Sequence, residues 1–303
     1  MRYNHYSTFM NRKLAYGVIG GLLLAAGGAV WLEAKPIARR SIQTNLPVVM
    51  QVTTTPVVGT ATATPALITV NTPTTVTVTV QITDPRLLTN GVNLLRLNSN
   101  GSSSILGVMH DDGVNGDAVA NDKLFSLTVN LNEKTTSEIQ FQVSCAFKGI
   151  LKRVLSPIIY TPVIPPDPGP SGMATVGGVD SDNDGRRDDV ERYIAVTFPQ
   201  SERLRLALQD DAKATQQLLL STTPDQAINA TTRMLRAVEC LSYLVPTGSD
   251  RHVMLSQLDA IQINTEARFL AWTATDDNTR GQIYDASSNP KASCTFNPDT
   301  VAN

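Results

Sequence analysis

T-T-V-T-V-T-V-Q-I-T, residues Thr74 to Thr83, alternates apolar and polar side chains almost without a break. Val76, Val78, Val80 and Ile82 fall on one face and the threonines on the other. Period-two alternation of β-branched residues predicts a strand with one face in a core and the other in water. E-I-Q-F-Q-V-S-C-A-F, Glu138 to Phe147, repeats the pattern with Ile139, Phe141, Val143, Cys145 and Phe147. Shorter apolar runs occur at Leu94–Leu97, Ile105–Met109 and Leu124–Leu131. Turn residues at Thr89-Asn90-Gly91 and Asn100-Gly101 separate strands in this region.

About seven strands between residues 46 and 160 predict an all-β, immunoglobulin-like sandwich. Cys145 shares its face with core residues and is expected to be buried, unpaired and inert. That leaves Cys240 and Cys294 to bond with each other. Prolines from Pro157 to Pro170, followed by glycines, predict an extended spacer that starts near Ser156, with residues 161–178 as the linker proper. Proline cannot donate to a central ladder, so the sandwich is expected to end where the spacer begins. From Asp189 the period becomes helical. Leu204, Leu208, Ala212, Thr215 and Leu219 form one stripe. Ala227, Ala230, Met234, Ala237, Leu241 and Leu244 form another, behind the capping signal Thr223-Pro224-Asp225-Gln226. A third segment, Asp250 to about Ala274, carries Leu255, Leu258, Ile261, Thr265, Phe269 and Trp272. Residues 179–303 therefore read as a small all-α bundle with an irregular tail.

The chain has 303 residues and a formal charge of −2. Arg12 and Lys13 precede an uncharged run from Leu14 to Leu32, so residues 1–33 read as a cleaved secretory signal or a retained single-span anchor. Both readings export the remainder, to the periplasm, the cell surface or the medium, with membrane contact only through the anchor. Loss of the first 29 residues removes three cations and no acid, leaving 22 cations against 27 acids. A mildly acidic chain is poorly suited to nucleic-acid backbones. Aromatic residues, at 5%, are too few for an aromatic-lined sugar or nucleic-acid platform.

D-S-D-N-D-G-R-R-D-D-V-E, Asp180 to Glu191, concentrates the charge. Numbered as a twelve-residue loop, it places Asp180, Asp182 and Asp184 at positions one, three and five, and Gly185 at six. Arg186 offers its carbonyl at seven, Asp188 stands at nine and Glu191 at twelve. Calcium takes six to eight hard oxygens at loose distances, and this spacing supplies them. The stretch resembles an EF-hand loop, and D-S-D-N-D-G resembles the calcium repeats of thrombospondin type 3 and dockerin modules. The resemblance implies an extracellular and mainly structural Ca²⁺. The loop departs from the EF-hand at position eight, where Arg187 replaces the usual apolar residue. S-G-M-A-T-V-G-G-V before it cannot form an entering helix, and no second copy is present.

His110 to Phe125 holds a second acidic cluster. Asp111, Asp112, Gly113, Gly116, Asp117, Asp122 and Phe125 resemble the signature of choice-of-anchor-type sandwiches of bacterial surface proteins. The residue-level expectation is a long loop whose aspartates bond local amides, with a second calcium site as the alternative. Y-I-A-V-T-F-P, E-C-L-S-Y-L and the cysteine-bearing tail resemble a family of uncharacterised exported bacterial proteins, a resemblance that carries no reaction. No G-x-S-x-G, H-E-x-x-H or phosphate loop occurs. His110 and His252 read as a strand-end and a helix-surface residue. The expected function is a non-catalytic, calcium-bearing envelope module that binds a protein or cell-surface partner. A calcium-responsive envelope regulator is the alternative.

Overall fold

The structure, a computed structural model, describes residues 54–301. The expectations for the N-terminal run and for residues 46–53 lie outside the described residues. The alternating stretches form strands as expected. Strand β3 (Thr74–Gln81) pairs antiparallel with β1 (Thr62–Thr64) and β6 (Leu124–Leu131) in a three-stranded sheet. The second sheet runs β2 (Ile68–Thr69), β9 (Ile159–Ile164), β7 (Ser137–Phe147), β4 (Leu87–Leu97), β5 (Ser103–Val108), with β8 (Val154–Leu155) also on β7. Strand β2 lies parallel to β9, so this sheet is mixed. A bridge between His110 and Ser126 joins the end of β5 to β6 and curls the sheets toward a half-barrel.

Both sheets close on one core. Val76, Val78 and Val80 from β3 meet Val92, Leu94, Phe141, Val143 and Phe147 from the facing sheet, each 2% exposed or less. Each such side chain contributes about 1.5–3 kcal/mol on burial. Cys145 sits among them, fully buried and free, and burial pushes its thiol up to about 11. At neutral pH it stays a thiol and acts as a small hydrophobe.

The fold class differs from the expected all-β sandwich followed by a separate all-α bundle. With 35% helix and 23% strand among the described residues, this is a mixed α/β structure. The proline-rich stretch explains the difference. Ile159–Ile164, inside it, forms β9, buried along its whole length between β7 and β2. Pro162 faces Glu138 of β7 in register, and β2 covers only Val163 and Ile164. At Pro162 the strand is therefore a sheet edge, where proline is tolerated. Chain polarity and side-chain charge then tie the sheet to the helices. Arg205 of α2 (Glu202–Leu219) ion-pairs with Glu138 of β7 and donates to the Phe198 and Pro199 carbonyls, both at 2.7 Å. Arg192 of α1 (Asp188–Thr197) donates to the Pro165 carbonyl at 2.9 Å. The described residues belong to a single compact unit.

Helices α1, α2, α3 (Pro224–Leu244) and α4 (Gly248–Gln262) share a core built on Ile194, Leu208, Leu241 and Leu258. Side chains of Ser201 and Thr223 cap α2 and α3, the latter at the predicted start. The third expected segment is two helices. It breaks at Ile263–Thr265, and Thr265 caps α5 (Glu266–Thr279). The break resets the helical phase, so Phe269 is 56% exposed while Arg268 is fully buried. Arg268 donates to the carbonyls of Val176, Thr175 and Gly172, and this holds the glycine-rich segment against α5. Cys240 and Cys294 are bonded as expected, with sulfurs 2.08 Å apart, and fasten the tail to α3. Among the described residues, no helix is long and apolar enough to cross a membrane.

Candidate metal centre

The acidic loop runs from the glycines into the first turn of α1. Asn183 at φ 59° and Gly185 at φ 88° supply the left-handed conformations of the sharp turn. Asp180 organises that turn. Its two oxygens accept from the Asp184 and Gly185 amides, at 3.1 and 2.9 Å. Oxygens of Asp180, Asp182 and Asp184 consequently lie within 4.8 Å of one another. Three carboxylates at that separation repel one another.

The remaining three predicted residues lie on the same loop but outside that trio. Asp188 is buried and accepts from the Ser181 amide at 2.9 Å; burial raises its carboxyl above the ordinary value. Glu191 is also buried. One of its oxygens accepts from Arg186 Nε at 3.0 Å, and the other, Oε2, has no hydrogen-bond partner. Burial, with Asp184 and Asp182 nearby, pushes Glu191 up to about 8 against the pull of Arg186. The Arg186 guanidinium spans Asp184 and Glu191 and neutralises part of the cluster.

Position eight has a structural role that the sequence left open. Arg187, 1% exposed, donates to the Ile261 and Gln262 carbonyls at the end of α4, each at 2.8 Å, and to both oxygens of Asp189. A guanidinium there satisfies orphan carbonyls and complements the helix dipole. The loop thus packs against a helix end where an EF-hand would pack against a sister loop. Two further contacts come from far along the chain. Thr136, before β7, donates to Asp182, and Lys213 of α2 donates to the Asp184 carbonyl at 2.6 Å. Nothing in the local pattern around Thr136 or Lys213 signals these contacts, because they depend on how sheet and helices assemble.

The second acidic loop is built differently. Asp111 accepts from the Asp122 and Lys123 amides, Asp117 from Gly113 and Val119, and Asp122 from Leu124. Oxygens of Asp111, Asp117 and Asp122 also lie within 4.8 Å of one another. Local amides satisfy these aspartates, in keeping with the pinned-loop expectation. Gly116, at φ 97°, lies where a Cβ would stand 2.4 Å from Thr128 Oγ1.

A buried acid in the helices sets a pH dependence away from either loop. Asp211 of α2 is 2% exposed, and burial, with Asp259 and Asp210 nearby, raises it to about 7 despite a bond from Gln262. The folded protein holds this proton up to about pH 7, whereas the unfolded chain releases it near the ordinary value of 3.8. Its contribution to stability therefore falls as pH rises through that window. Asp211→Asn is expected to stabilise the protein by about 2–4 kcal/mol at pH 8 and to change stability little at pH 4, measured by urea unfolding.

Compared with protein-family models and with curated proteins, the sequence finds no match.

Proposed function

We propose that this chain is a calcium-binding, non-catalytic envelope module whose ion sits in the Asp180–Glu191 loop. The convergence of Asp180, Asp182 and Asp184 oxygens within 4.8 Å, on a turn fixed by Gly185, carries the reading. The orphaned Oε2 of buried Glu191 supports it independently, as an oxygen that lacks the partner its burial calls for. Asp180, Asp182, Asp184, the Arg186 carbonyl, Asp188 and Glu191 would form a hard-oxygen set of the kind calcium prefers over softer metals. The ion's task is structural. The loop touches the turn before β7 through Thr136, α2 through Lys213 and α4 through Arg187, so a cation there would hold sheet and helices together. Export, and a protein or cell-surface partner, belong to the same reading.

A calcium titration followed by calorimetry and far-ultraviolet circular dichroism tests this. A structural ion gives binding in the extracellular range, about 10⁻⁴–10⁻³ M, with little change in helix content. Micromolar affinity with a large gain in helix would instead favour the regulator reading. Arg186→Ala keeps the position-seven carbonyl and removes the competing guanidinium. Its calcium affinity is expected to rise about threefold to tenfold, because a partly exposed ion pair of about 1 kcal/mol no longer has to break.

A further inference from the structure

A cavity of about 780 Å³ opens between α2, α3 and the C-terminal tail. That volume suits a small organic molecule. Its wall carries three cations, Lys213, Arg233 and Arg236, and one acid, Asp210. Arg236 is matched, because it donates to Glu239 at 2.7 Å and to the Asp285 carbonyl. The other two cations are held by neutral acceptors. Arg233 donates to neutral Gln217 at 3.0 Å, and Lys213 donates to a backbone carbonyl. Neither belongs to an ion pair among the described residues. The opposing Asp210 accepts from the Thr295 hydroxyl, and burial raises its carboxyl against the pull of that bond, Arg186 and Lys213. Arg233 also borders a second cavity of about 460 Å³ alongside Gln217.

A guanidinium and an ammonium that form no ion pair, on the wall of one cavity of this size, are a donor set for an oxyanion. We propose that this cavity binds a small organic oxyanion, a phosphorylated or carboxylated compound about the size of a monosaccharide, through Arg233 and Lys213. The tail contributes Ser288 and Cys294 to the lining, and the disulfide fixes Cys294 to α3. Lys213 also donates to the Asp184 carbonyl of the acidic loop, so the site is tested without calcium and through Arg233, which does not touch that loop's carboxylates.

The test is isothermal titration of the full chain, in calcium-free buffer, with glucose 6-phosphate, glucuronate and glucose. These three share a ring and differ in a phosphate, a carboxylate or a neutral head. At least one anion is expected to bind roughly tenfold tighter than glucose, and more weakly as salt is raised. Arg233 is exposed, so Arg233→Gln should keep the melting temperature while weakening that anion roughly tenfold, and Arg233→Lys should restore part of the loss. Which anion binds identifies the head group. Equal binding of glucose, no heat from either anion, or an unaltered Arg233→Gln titration would overturn the proposal.

Discussion

Replacing Arg187 by methionine is expected to cost about 3–5 kcal/mol of folding stability and to lower the melting temperature by roughly 10 °C. The volumes are similar, so the loss does not come from a cavity. It comes from what remains behind. Arg187 satisfies two terminal carbonyls of α4 and both oxygens of Asp189 from a position 1% exposed. Methionine leaves all of these without their donor, and a buried acceptor stripped of its partner bears its full desolvation cost. Replacing a buried charge is near neutral only where every partner is replaced too. Arg187→Lys keeps the charge but not the fork, and an intermediate loss is expected in urea unfolding. A methionine variant as stable as the parent would mean that the loop is not anchored through α4.

The second large effect is that of the disulfide. Cys240→Ser/Cys294→Ser is expected to lose up to about 4 kcal/mol, since the bond closes a loop of 54 residues in sequence separation. The bond is not the tail's only hold. Glu239 accepts from the Ser287 amide and the Ser293 hydroxyl at 2.6 Å each. The tail should therefore loosen without leaving α3 altogether. Thermal unfolding with and without a thiol reductant checks this, and an unchanged midpoint would contradict it. Because Cys294 lines the oxyanion cavity, the same variant should also bind the anion more weakly.

Local periodicity was a reliable guide where one element's own pattern decides its burial. Val76, Val78, Val80 and Ile82 face the core because alternation leaves them no other face, the same logic placed Cys145, and a capping signal placed the start of α3. It failed where a distant segment decides. The prolines around β9 read as a spacer because each lacks a donor, yet Pro162 lies beyond the reach of β2 and needs none on that side. That one strand changes the fold from a separate sandwich and bundle to a mixed α/β body. Likewise, one helical stripe from Asp250 to Ala274 ignored a break that buries Arg268 and exposes Phe269.

The acidic loop divides in the same way. Its spacing was visible, and so were the three carboxylates that meet. The roles of Arg186 as an internal counter-charge and of Arg187 as a helix-end anchor were not, because each depends on partners brought near by folding. Lys213 and Arg233 carry no motif. Only the packing of α2 against α3 makes them the wall of one cavity.

Equilibrium dialysis of calcium against the full chain and against Asp180→Ala/Asp184→Ala tests the central claim most directly. One ion per chain on the parent, lost from the double variant while both keep the same far-ultraviolet spectrum, is the result this account predicts. No bound calcium on the parent, or equal calcium on both proteins, would contradict it.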